Sequence, residues 1–253
     1  MIAICALAAS LAAPPAAGQE LLFDAQPVTL QGHVLVPLRA LFEWAGGTVL
    51  YQAGHITARG GGGAGADRLE LWVNKKQARL GNTDVQLDIA PTIVDGRVMV
   101  PLRFSAEAFG AWVKAQGRQI ELSLPQLNRT ATMAIPPAPD SLLGKMWRVA
   151  SMHYGLVAPP KTGSKTPHFD LYSPARQAAL KRELGKDAAQ KVEEQTKARA
   201  VAGLRVEQDF LAEDQKHGWL VACLRAGPQT QRQKLSFVLE RTGWRLDQVE
   251  PAP

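Results

Sequence analysis

The sequence predicts an α+β chain. A duplicated strand-helix-strand module with antiparallel sheet comes first, and a second α+β domain, helices followed by a β-meander, comes after it. Three observations predict this. The hexapeptide Val34-Leu35-Val36-Pro37-Leu38-Arg39 recurs as Val98-Met99-Val100-Pro101-Leu102-Arg103, 64 residues on. The tract 127–140, with Pro136-Pro137-Ala138-Pro139 near its end, reads as a linker. Beyond it, segments of helical period precede strand-like runs. The 253 residues suffice for two domains.

The repeat extends well past the hexapeptide. At the same offset Glu43 meets Glu107, Gly46 meets Gly110, Val49 meets Val113, Gln52 meets Gln116 and Ile56 meets Ile120. Agreement at one spacing over such a stretch marks duplication. Each copy has a physical logic. The apolar run before the proline is strand-like, with Val34 and Val36 on one face. Proline cannot donate to a ladder but suits the first turn of a helix, so Pro37 and Pro101 mark strand-to-helix switches. Helices over 38–45 and 102–109 then present Leu38, Leu41, Phe42 and Ala45, or Leu102, Ala106 and Phe109, as one apolar stripe. Gly46 and Gly110 stop them. Short strands follow at 48–51 and 56–58, and at 112–114 and 120–124. Between the copies, 69–73 and 78–80 predict a hairpin, 85–89 another strand, and Asp95-Gly96 a turn.

In the second half, Asp140 or Ser141 can cap a helix running through Leu143, Trp147, Ala150 and Tyr154. A loop rich in Pro, Gly, Lys and Thr follows at 158–167. Ser173-Pro174 opens a long helical stretch broken at Gly185, and strand-like runs close the chain at 204–211, 219–226, 234–241 and 244–249. The aromatic set Trp147, Tyr154, Trp219, Phe237 and Trp244 reads as core, with the lining of a pocket as the alternative.

The first 19 residues are a short apolar run ending in small residues. They predict a secretory signal peptide, cleaved near Ala17 or Gly18, and an extracytoplasmic setting: secreted, periplasmic or cell-surface. Ile4 precedes Cys5 where a lipoprotein signal wants a small residue. With the leader removed, Cys223 is the single thiol, and its apolar surroundings predict a buried small hydrophobe. No apolar run in the body is long enough for a transmembrane helix. The net charge of +6 arises entirely in the second half, where residues 141–253 hold 18 basic and 12 acidic side chains. Acids interleave with bases between Arg176 and Arg199, so a solvated helix face is expected rather than a nucleic-acid stripe.

The doubled Val-Pro-Leu-Arg-x3-Glu-x2-Gly, preceded in the second copy by Leu87-Asp88-x-Ala90-Pro91-x-Ile93-x-Asp95-Gly96-Arg97, resembles the copper amine oxidase N-terminal-like domain over residues 20–126. The resemblance implies a stalk domain that holds neither copper nor quinone and recurs in exported bacterial proteins as a binding or spacing module at the envelope. The oxidase itself is implied to need three copper-binding histidines and a tyrosine that becomes the quinone. His33, His55, His153, His168 and His217 form no His-x-His pair, and none of Tyr51, Tyr154 and Tyr172 follows an asparagine. Residues 141–253 resemble the nuclear transport factor 2-like cone fold through Leu171-Tyr172-Ser173-Pro174-Ala175-Arg176 and Gly243-Trp244-Arg245-Leu246-Asp247. That resemblance implies a curved sheet wrapped around helices, with a pocket that some members use for catalysis.

Catalytic motifs find little footing. The Gly-x-Gly-x-x-Gly within 60–65 precedes a strand-like run rather than a helix, so a hairpin tip is expected, not a phosphate loop. No Gly-x-Ser-x-Gly exists, and Cys223 has no nearby histidine in sequence. His153 and Asp170 form a minor acid–base candidate. The motif residues Pro37, Arg39, Glu43, Gly46, Pro101, Arg103, Glu107 and Gly110 are expected to be structural. An arginine in a first helical turn opposes the helix dipole, so Arg39 and Arg103 are expected to cross to a carboxylate or carbonyl of the neighbouring repeat, with Asp88 and Asp95 as candidates. A ligand-facing polar pair is the alternative. The expectation is thus a non-enzymatic exported protein without cofactor or copper, binding an envelope component or another protein and no nucleic acid. A small-molecule-binding or enzymatic protein working through a C-terminal pocket is the other reading.

Overall fold

A computed structural model of the protein describes residues 20–60, 68–198, 201–226 and 229–252. The leader 1–19 and nearly all of the glycine tract 60–65 lie outside the described residues. No helix among the described residues is long and apolar enough to cross a membrane.

Strands β1 (Val28–Leu30) and β2 (His33–Pro37) form a hairpin over Gln31-Gly32, both at positive φ. Helix α1 (Leu38–Trp44) and strands β3 (Gly47–Gln52) and β4 (His55–Gly60) follow. Three further strands, β5 (Arg68–Trp72), β6 (Gln77–Leu80) and β7 (Thr83–Gln86), extend β3–β4 into a five-stranded antiparallel meander. The chain then repeats its opening. Strands β8 (Thr92–Val94) and β9 (Arg97–Pro101) turn over Asp95-Gly96, and α2 (Leu102–Glu107), β10 (Trp112–Gln116) and β11 (Gln119–Leu124) come after. Positive φ at both turn positions matches the right-handed twist of the flanking strands, and glycine at the second meets that demand without strain.

The two openings meet in one sheet of order β1-β2-β9-β8. Val36 of β2 lies opposite Val100 of β9, with Leu35 opposite Pro101 and Pro37 opposite Met99. Val36 and Val100 hold the same place in the hexapeptide, so antiparallel pairing at that point sets the segments around it about a local two-fold axis. Each proline closes its strand and begins its helix. Gly46 and Gly110, at φ 76° and 77°, end the helices in the left-handed conformation. The apolar stripes of α1 and the α2 region meet in one core, where the Phe42 and Phe109 rings pack edge-to-face at 4.8 Å. Their counterparts at the 64-residue offset are Ala106 and Ala45, so two large rings fill the room that two alanines leave.

The second half opens with α3 (Leu142–His153), where the Ser141 hydroxyl accepts the Gly144 N–H at 3.0 Å. Ser173 caps α4 (Pro174–Leu184) in the same way, and Gly185 at φ 87° separates it from α5 (Ala188–Ala198). Four long strands, β13 (Val201–Leu211), β14 (His217–Ala226), β15 (Gln229–Glu240) and β16 (Gly243–Pro251), form an antiparallel meander. Helix α3 packs on it around Trp147, Ala150, Leu220, Phe237 and Leu246.

One expectation needs correction. The tract 127–140 is not all linker: β12 (Arg129–Ala134) lies within it and pairs with β11 through its whole length. Ala131 and Met133 are buried while Thr130 and Thr132 are exposed, so the segment alternates like any half-buried strand.

Several ties join the two halves of the chain, among them a backbone pair and two ion pairs. Phe23 and Leu204 exchange backbone hydrogen bonds of 3.0 and 2.8 Å, which lays the segment after residue 20 along the edge of β13. Arg118 donates to both oxygens of Asp209 at 2.8 and 2.9 Å. Arg148 of α3 grips Asp95 at 2.7 Å.

Candidate functional site

Two clefts lie on the seam where the opening hairpins meet the helices. One, of about 530 Å3, runs between Gly32, His33 and Val34 and the segment Pro101-Leu102-Arg103, with Asp88, Glu107, Val113 and Ala115 alongside. The other, of about 300 Å3, runs between Gly96, Arg97 and Val98 and the segment Pro37-Leu38-Arg39, beside Val49 and Tyr51. At the 64-residue offset each hairpin triplet, each Pro-Leu-Arg and each strand pair of one cleft has its counterpart in the other. The local two-fold axis places the hairpin of one opening against the helix start of the other, which is how both clefts arise. Asp24 and Asp88 are counterparts too, but other lining side chains differ, Arg97 standing where the larger cleft has His33. Tyr51 likewise stands where the larger cleft has Ala115, and the Arg97 guanidinium binds Asp24 at 3.0 Å in the smaller cleft.

Arg39 and Arg103 do not make the ties expected of them. Among the described ion pairs each meets the glutamate one turn on in its own helix, Glu43 at 3.9 Å and Glu107 at 4.0 Å. Asp95 is taken by Arg148 instead. The two arginine side chains are 75% and 67% exposed, and pairs so long and so open contribute little to stability. The geometric cause is local. A strand that ends at proline and turns at once into helix projects the next side chain but one from the first turn, along the cleft rather than into the core. Pro37 and Pro101 sit at the strand-to-helix junctions, and Gly46 and Gly110 follow the helix ends.

The aromatic set divides. Trp147, Tyr154, Phe237 and Trp244 are buried in the second core. The Trp147 indole donates to Asp209 and the Tyr154 hydroxyl donates to Gln233. Trp219 lies on the opposite face of β14 from Leu220, stacked on Phe210 at 5.6 Å with the Lys234 ammonium over its ring. Strand alternation therefore keeps Trp147 and Trp219 on opposite sides of the sheet. His153 is buried against Tyr172, 3.1 Å from its hydroxyl. Among the described residues no three His, Cys, Asp or Glu side chains gather as a metal site would need.

Two buried polar clusters carry no sequence motif. Glu193 of α5 accepts the backbone N–H groups of His168 and Phe169 and holds the His168 ring at 2.7 Å, which pins the end of the loop 157–168. Arg205 of β13, 7% exposed, donates to the Leu21 carbonyl and pairs with Glu20 and Glu207. Burial pushes the Glu20 carboxyl up. Hydrogen bonds from Cys223 and Thr230 and the Arg205 charge outweigh it, and the carboxyl ends below its ordinary value. Burial first, and then its bond to Glu20, push the Cys223 thiol up to about 12.

Fold and clefts together define a two-part α+β protein whose first part is a two-sided module with paired grooves. Residues 16–124 match the family model of the copper amine oxidase N-terminal domain. No curated protein matches the chain. Among solved structures, it is similar to the intermembrane space region of the chloroplast protein ARC6, at 11% identity over 44% of this chain and 90% of that one. It is also similar to RPA3114, a SEC-C motif containing protein from Rhodopseudomonas palustris, at 14% identity over 46% and 79%. Both TM-scores are 0.27, too low for either likeness to bear on fold or function.

Proposed function

We propose that this is a non-catalytic binding protein working outside the cytoplasm, whose duplicated first domain holds an anionic envelope component in its seam clefts. The observation that carries this reading is the placement of Arg39 and Arg103. A side chain repeated in both copies, exposed, and held only by a long pair to the glutamate one turn on, is available to what enters the cleft beside it. A guanidinium fork recognises carboxylate or phosphate by paired hydrogen bonds. The ties through Phe23, Arg118 and Arg148 support a second role for the first domain, as a rigid mount for the second. The apolar leader supports the compartment.

A pull-down of the 20–253 protein against fractionated cell envelope tests the reading. Retention on an envelope fraction is expected, and rising salt should release it, since exposed charge pairs are screened within roughly 10 Å at 0.1 M. Recovery wholly in the unbound fraction at low salt would overturn the proposal.

A further inference from the structure

We propose that a separate cleft in the second domain, between α3 and the β15–β16 turn, binds a long-chain carboxylate. Its volume is about 800 Å3, within the range of small-molecule sites. Leu142, Val149 and Met152 of α3 give it one apolar wall, and Leu239 and Trp244 give it another. The loop 157–168 closes a third side with Pro159, Pro160 and Pro167. Proline fixes the backbone there, and Glu193 pins the loop's end, so little freedom is left to lose on binding.

The charges at this cleft are unequal. Lys145, Arg148, Arg241 and Arg245 line it against Asp170 and Glu240. Two of the cations are committed. Arg148 grips Asp95, and Arg245 donates to the Asp170 carbonyl and the Thr242 hydroxyl. Lys145 and Arg241 have no acidic partner among the described ion pairs, and both are exposed. Trp244, 3% exposed, contributes to the wall with an indole N–H that is buried and lacks an acceptor. That wall is short of a hydrogen bond.

Two uncompensated cations beside aliphatic walls fit a ligand with one anionic head and an apolar body. A carboxylate head supplies the missing counter-charge through charge-assisted hydrogen bonds, and the chain covers Leu142, Val149 and Met152. The site is concave, which suits a single molecule rather than a bilayer surface. It shares no lining residue with the seam clefts, so it stands or falls apart from them.

The test is titration calorimetry of the 20–253 protein with monomeric dodecanoate at low salt. Saturable binding is expected, and dodecanol should bind at least about tenfold more weakly. The double variant Lys145→Ser/Arg241→Ser should lose about tenfold in affinity for dodecanoate, with an unchanged melting temperature because both side chains are exposed. Intrinsic tryptophan fluorescence then locates the ligand. Dodecanoate should shift the emission of the unaltered protein, and Trp244→Phe should abolish that shift while calorimetry still reads binding. No saturable heat, equal affinity for dodecanol, or an unaffected double variant would each overturn the proposal. So would a fluorescence shift that survives Trp244→Phe. Binding to phosphatidylglycerol vesicles without binding to monomeric dodecanoate would make the surface a membrane contact and also overturn it.

Discussion

At the scale of single residues, the sequence showed chemistry types but not their partners. Cys223 reads from its neighbours as a small buried hydrophobe, and it is buried. Its bond to Glu20 spans 203 positions, and nothing in either stretch announces it. The consequence is testable: a thiol held near 12 has almost no thiolate at neutral pH. Cys223 in the folded 20–253 protein should resist iodoacetamide at pH 7.5 and react fully only in denaturant. Glu20 sets an acid limit. Its folded value lies below the ordinary 4.5, so the ionised form stabilises the fold above that pH, and the benefit is lost as pH falls through the folded value. Melting curves should show Glu20→Gln less stable than the unaltered protein at pH 6, the gap closing as the pH is lowered below 4.5. By type Trp219 reads as a core aromatic. Its face follows from the alternation with Leu220, which an aromatic count ignores.

Elements were far more legible, because their signals are local. Proline before α1 and α2, glycine after them, and the Asp95-Gly96 turn all fall where short-range sterics require them. The exception is instructive. In β12 the Thr-Ala-Thr-Met alternation is a strand pattern, but the prolines that follow it carry the composition of a linker. The seam depends on two rings and two alanines complementing each other across the 64-residue offset. Phe109→Ala should therefore destabilise the protein by about 3–5 kcal/mol, the cost of deleting a buried ring. Urea unfolding measures it. Replacing exposed Trp112 by serine, at 72% exposure, should change stability by less than about 0.5 kcal/mol.

Across the whole molecule, the ties between the two parts were invisible in the sequence, since arginine and aspartate 91 positions apart carry no pattern. Arg118 matters because the Asp209 side chain is only 1% exposed. Arg118→Ala leaves that carboxylate with the Trp147 indole N–H, and should cost about 1–3 kcal/mol. It should also quicken proteolysis between the two parts. The duplicated motif was plain in the sequence, yet the clefts it makes depend on which opening pairs with which, and β2–β9 pairing decides that. The central claim is that the motif arginines face a ligand rather than brace the fold. Envelope retention of the double variant Arg39→Ser/Arg103→Ser, read beside its melting temperature, tests this most directly. Lost retention with melting within a degree or so of the unaltered protein is predicted, as expected for exposed side chains. Full retention, or a collapse in melting temperature, would contradict it.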